Sequence, residues 1–316
     1  MTLLSETLHR QLFGARVRRM LAHAQYDRLE ALADSVRRTE ACFPSGIPVI
    51  ASFFGRGFGE VDDEDDPQQW AKLVDGLTTW SVDRPQSATA RIALAHGLLA
   101  RARSTRRLVS DERLRQSEQD LDDADHVLEQ CPPQEKTLAD WYDTKLRILS
   151  EQGADSSYRA LSAIARASYP NDFVWYQTMA EHLMPRFYGS PGDWEAFADT
   201  CALSLPDSLR DEIYARIVEK QDHYGLNVFT FGKGLSWERV ERGLGVWARR
   251  CPTSVQPNSA LARLAWRSGN RAVAKRAFAA IGDTVEVDIW DDASIFWVAQ
   301  SWVRSDEKVA ALPPTR

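Results

Sequence analysis

The stretch Tyr188-Gly189-Ser190-Pro191-Gly192 sets a serine between glycines, the arrangement that can expose a nucleophilic hydroxyl on a sharp turn. That motif needs Gly-x-Ser-x-Gly, and Tyr188 stands where its first glycine should be. With Pro191 and Asp193 following, Ser190 reads as the cap of a helix beginning before Trp194. A hydrolase site assembled in space around Ser190 and His182, with Asp193 and Glu195, stays open as an alternative function. The six histidines, His9, His23, His96, His126, His182 and His223, never fall at paired ligand spacing, and no His-Glu-x-x-His occurs. No metal and no cofactor are expected.

Other constellations favour binding over chemistry. Asp62, Asp63, Glu64, Asp65 and Asp66 form an unbroken acidic run, which reads as a solvated linker or as a docking patch for a basic partner. It lacks the alternating ligands and bend glycine of a calcium loop. Arg101, Arg103, Arg106, Arg107, Arg113 and Arg115 make a basic counterpart, but no aromatic side chain interrupts them for base stacking. The stretches Gly55-Arg56-Gly57-Phe58-Gly59 and Gly232-Lys233-Gly234 miss the phosphate-loop spacing. Tyr176, Tyr188, Asp193 and Trp194 combine polar and aromatic character near a turn, so with Asp62, Asp63 and Asp65 they form the expected partner surface.

Bulk properties narrow the classes. The 316 residues are 44% hydrophobic and 27% charged, with a net charge of −6, an ordinary globular balance that argues against a nucleic-acid binder. An acidic chain is compatible with a basic protein partner. Cys42, Cys131, Cys201 and Cys251 lie far apart without a Cys-x-x-Cys pair, as expected of reduced cysteines in a cytoplasmic protein. No apolar run approaches a membrane span, and Met1 to Met20 is interrupted by charges, so neither a signal peptide nor membrane association is expected.

The elements that must carry these residues follow a helical period. Trp70, Trp80, Pro85 and Ser87 recur as Trp237, Trp247, Pro252 and Ser254 at a constant offset of 167 residues. Gly76-Leu77 and Ala93-Leu94-Ala95 keep the register as Gly243-Leu244 and Ala260-Leu261-Ala262. Such a recurrence marks a repeated supersecondary unit, and equivalent burial of the paired tryptophans is expected. Apolar stripes at Leu12, Val17, Met20 and Leu21, then Leu29, Leu32, Ala33 and Val36, predict a helical hairpin. A short helix is expected at 47–56, stopped by Gly55, Gly57 and Gly59. Asp66-Pro67 marks a helix start, and further helices are expected near 86–103, 111–130, 135–152, 155–168, 172–184 and 207–222. Gly225 to Gly234 should be an irregular loop, extended or buried, and Trp290 to Trp302 a last aromatic helix. The organisation expected is one all-α repeat domain over 1–305, with an N-terminal hairpin at 1–60, repeat-like units at 66–103 and 236–268, and a flexible tail at 306–316.

Leu264-Ala265, Gly269, Ala272, Ala274 and Phe278 resemble the tetratricopeptide pattern, with small residues at helix contacts and an aromatic in the second helix. Phe43-Pro44-Ser45-Gly46, Trp80 with Pro85 and Ser87, Pro185-Arg186-Phe187-Tyr188-Gly189-Ser190 and Trp290 with Phe296 and Trp302 resemble a bacterial family of tetratricopeptide-like helical proteins known as a domain of unknown function. The resemblance implies an α-solenoid, a stack of helical hairpins, and brings no catalytic residues with it. The expected function is a non-catalytic protein-interaction module. An immunity protein neutralising a bacterial toxin is a narrower alternative, and the oligomeric state is left open.

Overall fold

The computed structural model describes residues 5–61, 66–106, 110–203, 205–224, 228–231 and 234–305. Among them the chain is helical, without strands, and its helices pack in neighbouring pairs. Contacts group the chain, expected as one domain over 1–305, into two compact units. One comprises Leu8–Phe43 and Ile47–Ala165, and the other Met1–Thr7, Pro44–Gly46 and Arg166–Arg316.

The first unit is built from α1 (Glu6–Ala22) beyond Thr7, α2 (Tyr26–Thr39), α3 (Val49–Phe58), α4 (Pro67–Asp83), α5 (Ala88–Arg106), α6 (Asp111–Glu129), α7 (Ala139–Glu151) and α8 (Asp155–Ser168) as far as Ala165. A short 3₁₀ turn, Glu135–Thr137, replaces the start expected for the helix over 135–152. Apart from Arg91, His96 and Arg101 the sequence of α5 is apolar or small from Ala88 to Ala102, and it packs against α3, α4, α6 and α7. Around it Leu29, Phe53, Phe58, Leu77, Trp80, Ile92 and Leu128 lose all contact with solvent. Burial of this kind supplies about 1.5–3 kcal/mol per large side chain.

Helix α3 runs through Gly55 and Gly57, where the sequence led us to expect a break. A Cβ on Gly57 would stand 2.8 Å from Val17 Cγ1, and one on Gly14 would meet the Arg56 carbonyl at 2.5 Å. Close crossing of α1 and α3 needs these glycines and outweighs their poor helix propensity. The start of α4 is as read from sequence: Asp66 accepts from the Gln68 N–H at 2.8 Å and Pro67 opens the helix.

The second unit contains α9 (Val174–His182), α10 (Asp193–Thr200), α11 (Asp207–Asp222), α12 (Val228–Phe231), α13 (Trp237–Arg250), α14 (Gln256–Arg267), α15 (Arg271–Ile281), α16 (Val287–Trp290) and α17 (Ala293–Arg304). Two expectations change here. Residues 228–231 form a helical turn, not an extended stretch. The aromatic helix expected over 290–302 is two helices, parted where Asp291 adopts φ 59° and Asp292 caps α17 by accepting from the Ser294 N–H. The tail over 306–316 lies outside the described residues.

The turn after α4 returns after α13. Arg84 sits at φ −126°, ψ 65° and donates its N–H to the Trp80 carbonyl, while Cys251 sits at φ −123°, ψ 60° and donates to Trp247. The hydroxyls of Ser87 and Ser254 each accept from a backbone N–H of the following helix, those of Ala90 and Gln256. Trp80 and Trp247 are both buried, but Trp70 is buried and Trp237 only half-buried. The cause is local: α4 starts at Pro67, three residues before Trp70, whereas Ser236 caps α13 so that Trp237 is its first residue. There it packs edge-on to Phe229 at 5.4 Å.

In the first unit Arg37 of α2 reaches Asp140 of α7 with two N–H groups and Thr89 of α5 with a third. Asp140 is almost fully buried. Removing one partner of a buried pair strands the other charge, so Asp140→Ala should lower stability by about 3 kcal/mol. Asp34→Ala removes only the exposed partner of the same arginine and should cost under about 0.5 kcal/mol. Urea unfolding of the two variants measures the contrast, and equal losses would contradict it.

Candidate interaction surface

Several clusters hold titratable side chains, and their surroundings decide what each can do. In the first unit, burial lowers the pKa of His96 to about 4, assisted by the nearby Arg147. His96 is therefore neutral near pH 7. In the second unit, burial pushes the Cys201 thiol up to about 12, too high for a thiolate nucleophile. Glu6 is buried and its pKa is raised by desolvation, although Ser45 and Ser254 donate to it. Glu286 accepts from the Glu6 and Thr7 N–H groups at 2.8 and 3.1 Å, so it caps the first turn of α1.

His223 faces Glu219 at 2.6 Å and Asp291 at 2.8 Å. Burial alone would lower its pKa, but the two carboxylates hold it at about 9. Arg263 bonds Asp222 at 3.0 Å and Asp291 at 2.9 Å, and Arg267 approaches Asp222 at 2.8 Å. A histidine kept protonated among paired ions serves as a structural cation and makes a poor general base at neutral pH.

The segment that the sequence singles out, 176–194, separates into buried and exposed parts. Tyr176 is buried in α9 and donates its hydroxyl to the Pro170 carbonyl at 3.0 Å, and Trp194 is buried in α10. Neither is a contact surface, contrary to expectation, because their helices turn them into the core. Tyr188 and Asp193 are exposed. Asp62, Asp63 and Asp65 lie outside the described residues.

Ser190 is not the cap that its neighbours suggested. Gly192, at φ 97°, holds the cap position of α10, and the bond runs the other way: the Ser190 N–H donates to the Asp193 carboxylate at 2.8 Å. Proline at 191 and a glycine in the left-handed region place Asp193 to reach back over the turn. Among the described residues no hydrogen bond joins the Ser190 hydroxyl to His182, whose ring stacks on Tyr188 at 4.6 Å.

The loop after α9 is wound tightly onto its own helix end. Phe187 and Gly189 both donate N–H groups to the Met184 carbonyl, at 2.9 and 3.2 Å, and Tyr188 donates to His182 at 3.2 Å. A Cβ on Gly189 would fall 1.8 Å from the Leu183 carbonyl oxygen, so no other residue fits this approach. The result is a fixed corner with Phe187 41% and Tyr188 37% exposed. Phe187 meets Tyr224, just beyond α11, edge-to-face at 6.0 Å, and the Arg186 guanidinium lies 5.1 and 5.0 Å from those two rings. Lys220 stands 5.9 Å from the Tyr224 ring, and Glu181 accepts from the Tyr224 hydroxyl. Sequence reading singled out Tyr188 but not the neighbours that the structure brings to it or its loop, Arg186, Phe187, Lys220 and Tyr224. The run Pro185 to Ser190 was visible, but its junction with α11 is a tertiary fact.

Two other charged surfaces are largely satisfied from within. An open groove of about 550 Å³ between α11 and α13 is lined by Asp207, Asp211, Glu238, Glu241, Arg242 and Arg249. Arg239 and Arg242 neutralise Asp211, and Arg276 neutralises Glu241. In the first unit Arg101 pairs with the buried Asp120, and Arg103 and Arg106 share Glu151. No helix among the described residues is long and apolar enough to cross a membrane.

Comparison with family models, curated proteins and solved structures finds no match to this chain. Function must be argued from the molecule alone.

Two predictions follow from these contacts. Asp193→Ala should cost about 1 kcal/mol, the value of a lost helix-end bond, whereas Ser190→Ala should change stability by less than about 0.5 kcal/mol. Thermal unfolding would show the reverse order if the serine hydroxyl were the cap. For His223 the pKa in the folded chain lies above the ordinary histidine value of 6.5. Its stabilisation is complete below about pH 6.5 and is lost as pH rises through about 9, an amount on the order of 3 kcal/mol. Urea unfolding of the wild type should weaken over that range by more than it does in His223→Gln, and parallel profiles would rule the linkage out.

Proposed function

We infer that the chain is a non-catalytic protein-interaction protein, a tetratricopeptide-like stack acting in the cytoplasm, and that it presents the Arg186–Tyr188 corner to a partner protein. The observation that carries this reading is a pair of exposed aromatic side chains on a loop that its own backbone bonds and Gly189 hold fixed. Aromatic residues and arginine are enriched in binding hot spots, and tyrosine brings large contact area at small entropic cost. A loop already rigid before binding lowers that cost further. Support for the stack comes from helices that pack in neighbouring pairs and from the turn geometry shared by Arg84 and Cys251.

The test is capture from native lysate on immobilised protein, read by mass spectrometry. Wild type should retain a specific partner that Phe187→Ala/Tyr188→Ala retains at least about tenfold less, with unfolding midpoints unchanged. Equal recovery by the folded double variant would remove this corner from the functional account.

A further inference from the structure

We propose that the corner formed by Arg186, Phe187, Tyr188, Lys220 and Tyr224 binds an acidic peptide segment of its partner, one with a carboxylate beside an apolar side chain. This rests on the reading of the corner as a protein-binding surface and specifies the chemistry it selects.

Over much of the second unit cations are matched: Arg216 with Glu212, Arg239 with Asp199 and Asp211, Arg263 with Asp222 and Asp291. Arg186 and Lys220 have no ion-pair partner among the described residues, although both approach the same tyrosine ring. Stacking on Phe187 and Tyr224 restrains the guanidinium without using its N–H donors, which remain for an acceptor. A guanidinium fork suits a carboxylate, and the exposed faces of Phe187 and Tyr188 suit an adjacent apolar residue.

A polyanion fits less well. Two cations on one tyrosine ring, whose hydroxyl is held by Glu181, match a single carboxylate and do not make the extended positive track that a nucleic-acid backbone follows. A basic partner would meet two unpaired positive charges.

Phage-displayed random peptides selected on the full chain test the proposal, with Arg186→Gln/Lys220→Gln as the comparison target. Wild type should enrich peptides carrying Asp or Glu next to an aromatic or aliphatic residue. A synthetic peptide of that consensus should bind at least about tenfold more weakly to the double variant, and the difference should shrink as salt rises. Arg186→Lys should restore only part of the affinity, since it returns the charge without the planar fork. Both substitutions are near the surface, and unchanged unfolding midpoints will exclude loss of fold. Enrichment of basic or neutral peptides, no enrichment at all, or an affinity indifferent to both substitutions overturns the proposal. So does an oligothymidylate that binds the corner more tightly than the selected peptide. Retained dependence of lysate capture on Phe187 and Tyr188 with neutral peptides selected would refute the acidic class alone. Acidic selection without a captured partner would instead count against the interaction function.

Discussion

Arg216 carries a charge that is 3% exposed, between the Phe173 ring at 3.7 Å and the Trp247 ring at 3.8 Å. Burial lowers its pKa to about 10, so it stays protonated and must be satisfied in place. Glu212 accepts one donor at 3.0 Å and the Ser45 carbonyl another at 3.0 Å. Trp247 donates to the same carbonyl at 2.8 Å. Ser45 in turn donates its N–H to Glu6, and the Glu6 N–H donates to Glu286. The guanidinium and Trp247 thus tie the turn Pro44–Gly46 into the second unit through the Ser45 carbonyl, and Ser45 and Glu286 tie Glu6 at the start of α1 into the same unit. Burying ions in this way is costly unless every partner is present, so removing any one of them would strand the others.

The same economy separates core from surface. The buried Asp222 and Arg263, with Arg267 and the half-exposed Asp291, neutralise one another and hold α11, α14 and the break before α17 together. At the end of α9 the backbone does much of the fixing, through Met184 and Gly189, and the side chains of Arg186, Phe187 and Tyr188 pack partly on neighbouring rings while staying part-exposed.

Local grammar in the sequence was informative to the extent that structure is local. Asp66-Pro67 starts α4 as read, and the limits Asp207–Asp222 of α11 follow from Pro206 and the turn after it. The serine and proline turns after Trp80 and Trp247 share one geometry because the residues that make them are adjacent. Failures occur where a distant contact decides. Gly57 stays helical because Val17 presses on it, and Asp291 breaks a helix where His223 and Arg263 claim its carboxylate. Tyr176 and Trp194 looked available beside a turn, yet helix phase buries both.

Ser190 and Asp193 show the limit most clearly, since the residues were right and the direction of the bond was wrong. A serine three positions before an acid allows two bonds, hydroxyl to the later N–H or carboxylate to the earlier N–H. Gly192 at φ 97° shifts the helix start beyond Ser190, which leaves only the second. The hydroxyl is then exposed on a stable turn next to an aromatic corner, without the histidine contact that would activate it. At the neighbouring corner Arg186 and Lys220 have no ion-pair partner among the described residues, and they stand against the Tyr224 ring beside the part-exposed Phe187 and Tyr188.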